Sequence, residues 1–141
     1  MPLADPKIKK ILIIDDDQSQ IDIMERVLRK EGFQIFMALN GDEAKARISS
    51  VNPDLITMDL MMPDVNGIEL IRYLQAEGMS SVPVIVITGR YSDARTNDER
   101  MIRMEPNVVD FMKKPLRPTV FVYRIHQLLK TDPKMGKTGN P

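Results

Sequence analysis

Carboxylates follow apolar runs at two points of this sequence. Asp15-Asp16-Asp17 comes directly after Ile11-Leu12-Ile13-Ile14, and Asp59 closes Leu55-Ile56-Thr57-Met58. Thr88 ends a further run, Val84-Ile85-Val86-Ile87, and Lys114 lies just past another, which ends at Met112. If these runs are neighbouring strands, their last residues share one crevice. Several carboxylates held together repel, and each raises the proton affinity of the others. A hard divalent cation relieves this, and an oxygen-only donor set with few protein ligands favours Mg²⁺, with Mn²⁺ the admissible substitute. Bound metal lets such a pocket accept a phosphoryl group. Asp59 is then a candidate nucleophile that forms an acyl phosphate. Thr88 offers a hydroxyl and Lys114 a point positive charge to the other phosphoryl oxygens.

Positioning these groups requires strands that end together. Residues 8–14 read as a buried strand, apolar on both faces as parallel strands tend to be. A helix follows, with Ile21, Met24, Val27 and Leu28 on one face, Ser19-x-x-Asp22 as its expected cap and Gly32 as its stop. Residues 33–39 predict a second strand, and Asn40-Gly41-Asp42-Glu43 opens a helix carrying Ala44, Ile48 and Val51. After the strand ending at Asp59, a helix over about 66–76 buries Ile68, Ile71 and Leu74. Residues 83–88 are the fourth strand, 92–104 a polar, arginine-rich helix with Met101, Ile102 and Met104 as its apolar patch, and 107–112 the fifth strand. Pro118 suits the first position of a last helix that buries Phe121, Ile125, Leu128 and Leu129. Five strands alternating with five helices specify an α/β fold, a parallel sheet with helices on both faces. The expected organisation is an N-terminal extension over 1–7, one domain over 8–130 and a flexible C-terminal tail over 131–141.

Composition narrows the functional classes. Twenty basic and twenty acidic residues balance, so the chain as a whole carries no basic footprint for nucleic acid. The absence of cysteine excludes disulfides and thiolate metal sites. No apolar run reaches the ~18 residues of a membrane span, and no secretory signal opens the chain, so a soluble, cytoplasmic protein is expected. The eleven methionines read as core filler, and His126, the single histidine, as packing or surface. Taken singly, each chemical residue has an ordinary explanation: acids favoured by a helix dipole, a turn aspartate, a structural threonine. Their arrival at successive strand ends is what the ordinary explanations leave out.

With these residues in place, the sequence resembles the receiver domain of two-component response regulators, chemotaxis receivers among them, over residues 8–130. Asp15-Asp16 matches the acidic pair, Asp59 the phosphoacceptor, and residues 59–67 the Asp-x-x-Met-Pro-x-x-x-Gly pattern. Thr88 matches the fourth-strand hydroxyl, with small Gly89 after it leaving the phosphoryl pocket open. Lys114-Pro115 matches the Lys-Pro pair, and Phe111 the switch aromatic. The resemblance implies the flavodoxin-like (βα)5 sandwich with strand order 2-1-3-4-5, for which this family is a standard example. It implies Mg²⁺ held by Asp16, Asp59 and the backbone carbonyl of Met61, with Asp15 acting through water, and a cis bond before Pro115. It implies phosphoryl transfer from a phosphohistidine of a sensor histidine kinase or phosphotransfer protein. Thr88 would then move toward the phosphoryl group and Phe111 inward, reshaping the face of the fourth helix, fifth strand and fifth helix for an output partner. Homodimers are compatible with this, and catalysis is limited to the domain's own phosphorylation and dephosphorylation. Two departures stand out. Met104-Glu105-Pro106-Asn107 replaces a small-residue turn, and Arg90, two residues after Thr88, stands where the family tunes phosphoryl lifetime.

Two other readings have less support. Asp15-x-Asp17 resembles a haloacid-dehalogenase-type phosphatase motif, but too few acids follow Lys114 and Asp59 stays unexplained. A phosphorylation-independent receiver-like interaction module usually lacks a key acid, and here none is missing. Gly136-Lys137-Thr138 imitates part of a phosphate-binding loop without its first glycine or a following helix. The short segment after the last helix leaves two expectations, a stand-alone regulator or a piece of a longer chain.

Overall fold

The computed structural model describes residues 8–60, 62, 66–89 and 97–134. Its elements are β1 (Lys10–Ile14), α1 (Gln18–Lys30), β2 (Gln34–Ala38), α2 (Gly41–Val51), β3 (Leu55–Asp59), α3 (Gly67–Ala76), β4 (Val84–Thr88), α4 (Asn97–Arg103), β5 (Val108–Lys113) and α5 (Pro118–Leu129). All strand pairs are parallel, in the order β2-β1-β3-β4-β5. This is the flavodoxin-like sandwich the resemblance implies.

Strand alternation divides the core into two layers. Leu12, Ile14, Ile56, Met58, Val84 and Val86 point to one face, where Ala44 and Ile48 of α2, Ile71 and Leu74 of α3 and Ile102 of α4 cover them. Ile11, Ile13, Leu55, Ile85 and Ile87 point to the other, under Ile21, Met24 and Leu28 of α1 and Phe121 and Ile125 of α5. Each fully buried leucine or isoleucine contributes about 1.5–3 kcal/mol relative to exposure. These two layers therefore carry the fold.

Strand β5 breaks the alternation once. Val108 pairs with Val84 but Asp110, not Val109, pairs with Ile85, so Val109 is an extra, bulged residue. Past the bulge the parity of β5 is inverted. Val108 and Phe111 both pack on the α2/α3/α4 layer, whereas Met112 packs on the α1/α5 layer. Asp110, on the α5 side, accepts from Arg124 Nε at 2.8 Å.

Several local expectations need correction. The N-cap of α1 is Asp17, whose side chain accepts from Ser19 N at 3.1 Å; Ser19 itself is already helical. A carboxylate two residues before the helix's second amide reaches the orphan N–H directly, so the Ser19-x-x-Asp22 box is not used. The expected helix over 92–104 is described only from Asn97, and of its apolar patch Met101 and Met104 are exposed while Ile102 is buried. The methionines are accordingly not all filler, although Met24, Met58 and Met62 are buried. The turn with Glu105 and Asn107 is pinned to α3, since Gln75 Nε2 donates to Glu105 Oε1 at 2.8 Å and Asn107 Oδ1 at 3.3 Å.

The start of the expected tail is also structured. At the end of α1, Gly32 takes φ +91°, and Phe33 N and Gly32 N return to Leu28 O and Arg29 O in a Schellman turn. This turn presents Glu31, which is 4% exposed, to His126 of α5, which is 3% exposed. His126 Nε2 lies 2.8 Å from Glu31 Oε1 and Nδ1 lies 2.6 Å from Thr131 Oγ1. A carboxylate only accepts, so Nε2 carries the proton. Lys134 N donates to the same Glu31 Oε1 at 2.7 Å, which holds residues 131–134 against the domain. Residues 135–141, with the Gly136-Lys137-Thr138 imitation, and residues 1–7 lie outside the described ones. Glu31→Ala leaves the buried His126 ring and the amide of exposed Lys134 without their acceptor; a buried unsatisfied group costs about 1–3 kcal/mol and an exposed one less. A loss of about 2–4 kcal/mol is expected in urea unfolding. Glu31→Gln keeps an acceptor oxygen and should lose less; equal losses would refute this account.

Candidate functional site

The carboxyl ends of β1, β3 and β4 and the residue after β5 meet at one edge of the sheet. Asp15 and Asp59 follow the odd-numbered residues of their strands onto the α1/α5 face. Lys114 reaches that face only because the Val109 bulge inverts β5, and Lys114 N continues the ladder by donating to Thr88 O at 2.9 Å. The Lys114–Pro115 bond is cis.

Asp15 is 1% exposed and Asp59 4% exposed, while Asp16 is open to solvent. One carboxylate oxygen from each of these three residues lies within 4.8 Å of the others. Lys114 Nζ is 3.1 Å from Asp15 Oδ2 and 3.1 Å from Asp59 Oδ2. Asp15 Oδ1 accepts from Asp17 N at 2.9 Å. Burial pushes the Asp15 carboxyl above its usual 3.8, helped by the charge of Asp59 and opposed by the Asp17 amide and Lys114. Burial alone would lower Lys114, but its contacts with Asp15 and Asp59 outweigh this and raise it above 10.5. Asp17 is lowered, chiefly by its hydrogen bond from Ser19, so it stays a capping carboxylate outside the cluster.

Three carboxylates against one ammonium leave a surplus of negative charge at the mouth of the crevice. The donors are all oxygen, and Asp15 Oδ2, buried, has the ion pair with Lys114 but no hydrogen bond. Such a set fits a hard divalent cation.

The remaining candidates fall around this cluster. Thr88 ends β4 half-buried, next to Lys113 in register. A Cβ on Gly89 would lie 3.8 Å from Lys114 Cδ, an ordinary contact, so the glycine gives room beside the lysine stem without being sterically obligatory. Gly67 is more constrained: a Cβ there would sit 2.9 Å from Ile102 Cδ1 and 3.0 Å from Leu60 Cδ2. Phe111 is half-buried on the opposite face of the sheet, with the Arg103 guanidinium 3.8 Å from its ring centroid. Arg103 is one of the arginines that mark the fourth helix in the sequence, but no periodicity or motif signals its contact with a bulged strand. Met61 and Arg90 lie outside the described residues.

Comparison with known proteins agrees with this geometry. The family model for the response regulator receiver domain matches residues 11–126. The DNA-binding response regulator MtrA of Mycolicibacterium smegmatis is 32% identical over 122 residues, covering 86% of this chain and 51% of the relative. The alkaline phosphatase synthesis transcriptional regulatory protein PhoP of Bacillus subtilis is 28% identical, covering 86% and 49%. The chain thus spans about half the length of these curated relatives. Among solved structures, a response regulator signal receiver domain from Bermanella marisrubri superposes with a TM-score of 0.72 at 30% identity, covering 87% of this chain and 99% of that one. A CheY-like receiver domain protein from Methanospirillum hungatei gives a TM-score of 0.76 at 25% identity, covering 88% and 95%. By its sequence, its sheet order and the model matched along most of its length, the chain belongs to the response regulator receiver domain family.

Proposed function

We propose that this receiver domain takes a phosphoryl group onto Asp59 from a phosphohistidine of a sensor kinase or phosphotransfer protein. The observation that carries the reading is the position of Lys114 Nζ, 3.1 Å from both Asp15 and Asp59, beside the only described cluster of three acids fit for a cation. An Asp59 carboxylate oxygen attacks phosphorus, the P–N bond to the donor imidazole breaks, and the imidazole leaves with a proton. The product is an acyl phosphate. Lys114 holds the nucleophile in place before transfer and afterwards faces a phosphoryl oxygen, while Thr88 donates its hydroxyl to another.

Asp16 and Asp59 would hold Mg²⁺, with Asp15 acting through water and Met61 through its carbonyl. The ion supplies positive charge that offsets the repulsion between carboxylate and phosphoryl oxygens. On this reading Thr88 and Phe111 relay the new charge to the face of α4, β5 and α5, through which an output protein or a second copy is bound. The domain itself contacts no nucleic acid and works in the cytoplasm; among the described residues, no helix is long and apolar enough to cross a membrane.

Four outcomes check this. With Mg²⁺ and acetyl phosphate, intact mass should show one phosphoryl adduct, absent in Asp59→Asn; an adduct that survives the substitution rejects Asp59. Mg²⁺ should raise the melting temperature by mass action on the native state. The raised proton affinity of Asp15 sets the sign of its pH dependence. The stability linked to that proton is fully present below 3.8 and lost as pH rises through the higher native value. On acidification the proton competes with the ion, and the Mg²⁺ shift should fade at pH values still above 3.8. A shift that persists undiminished down to 3.8 contradicts the assignment. Finally, Arg90→Ala should change the lifetime of the acyl phosphate, measured by its decay after donor removal; an unchanged lifetime removes Arg90 from the site.

A further inference from the structure

Two adjacent residues of helix α4, Ile102 and Arg103, face different parts of the molecule. Ile102 is buried beside Gly67, in the core layer against which Leu60 also packs. Gly67 permits this approach, since any Cβ there would stand 2.9 Å from Ile102 Cδ1. Arg103, exposed, lays its guanidinium over the Phe111 ring at 3.8 Å from the centroid. That separation is well inside the ~6 Å range of cation–π attraction. Phe111 is available there because the Val109 bulge turns it onto the α4 side of the sheet. Leu60, the residue after Asp59, and Ile102 thus both close on Gly67, and the next residue of α4, Arg103, reaches Phe111.

We infer that Arg103 is a positioning residue for the switch aromatic: its guanidinium holds the Phe111 ring at the end of α4 and so sets how often the ring is free to turn toward Thr88. The inference rests on the receiver reading above for the direction of the turn. Ile102 seats α4 on Gly67 at the start of α3, so a displacement there moves Arg103 with the helix. Withdrawal of the guanidinium releases the ring. The interaction is half-exposed, which places its contribution at the lower end of the cation–π range, equivalent to about a two- to five-fold bias between ring positions. A bias of that size tunes an equilibrium without locking it.

The test uses Arg103→Met, which keeps stem length but not charge, and Arg103→Lys, which keeps a cation. In the unphosphorylated protein, aromatic relaxation dispersion on Phe111 reports the population of the ring's minor position. Arg103→Met should raise that population about two- to five-fold, with Arg103→Lys falling between it and the native protein. Adduct formation on Asp59 from acetyl phosphate should accelerate by a similar factor. In a Phe111→Ala background the same substitution should leave the rate unchanged, because the partner ring is gone. An unchanged ring population in Arg103→Met overturns the proposal, as does an acceleration that persists without Phe111. Failure of the native protein to form any adduct would instead reject the phosphoacceptor reading, while the ring measurement would still decide the role of Arg103.

Discussion

One ammonium shared between two buried carboxylates is the interaction on which the site depends. Lys114 Nζ stands 3.1 Å from Asp15 and from Asp59, neither of which water reaches freely. Removing a partner from such a buried pair typically costs about 3–5 kcal/mol, because the other charge stays desolvated. Asp16 adds a third carboxylate within 4.8 Å, so the cluster holds more acids than the one ammonium offsets. The domain thus holds Asp59, the proposed nucleophile, in a field that favours the arrival of positive charge. What stabilises the fold and what prepares the chemistry are one set of contacts.

That set can exist because the sheet is parallel. Parallel strands end on the same edge, so residues far apart in sequence are delivered to one crevice by strand length alone. This part was legible in the residues themselves. Asp15, Asp59 and Thr88 each follow an uninterrupted apolar run, and the runs alternate with helical patterns. The alternation signals a parallel sheet with no need of a contact map. Asn40 and Pro118 likewise mark helix starts where the structure has them, Asn40 through its bond from Glu43 N at 2.9 Å.

Other features left no such trace. Capping by Asp17 instead of Ser19 is a choice between neighbouring oxygens that differ by a few tenths of a kcal/mol, too little for a pattern to show. The His126–Glu31 contact joins residues 95 apart and has no motif, so the histidine's burial and the anchoring of residues 131–134 emerge only in three dimensions. The contact of Arg103 with Phe111 depends on the direction in which one strand residue points. That direction depends in turn on the bulge, and Val108-Val109 gives no glycine or proline to announce it.

The bulge has a further consequence, because β5 is the outermost strand on its side of the sheet. An outer strand offers its free amides and carbonyls as a template onto which another chain can hydrogen-bond. Val109 interrupts that template at the strand's second residue, leaving an exposed valine where a straight strand would continue the row. An extended segment laid along β5 would fall out of register within two residues. Only residues 110–113 of β5 then offer a regular edge, so the bulge disfavours binding by lengthening the sheet and favours contacts through side chains on this side of the domain.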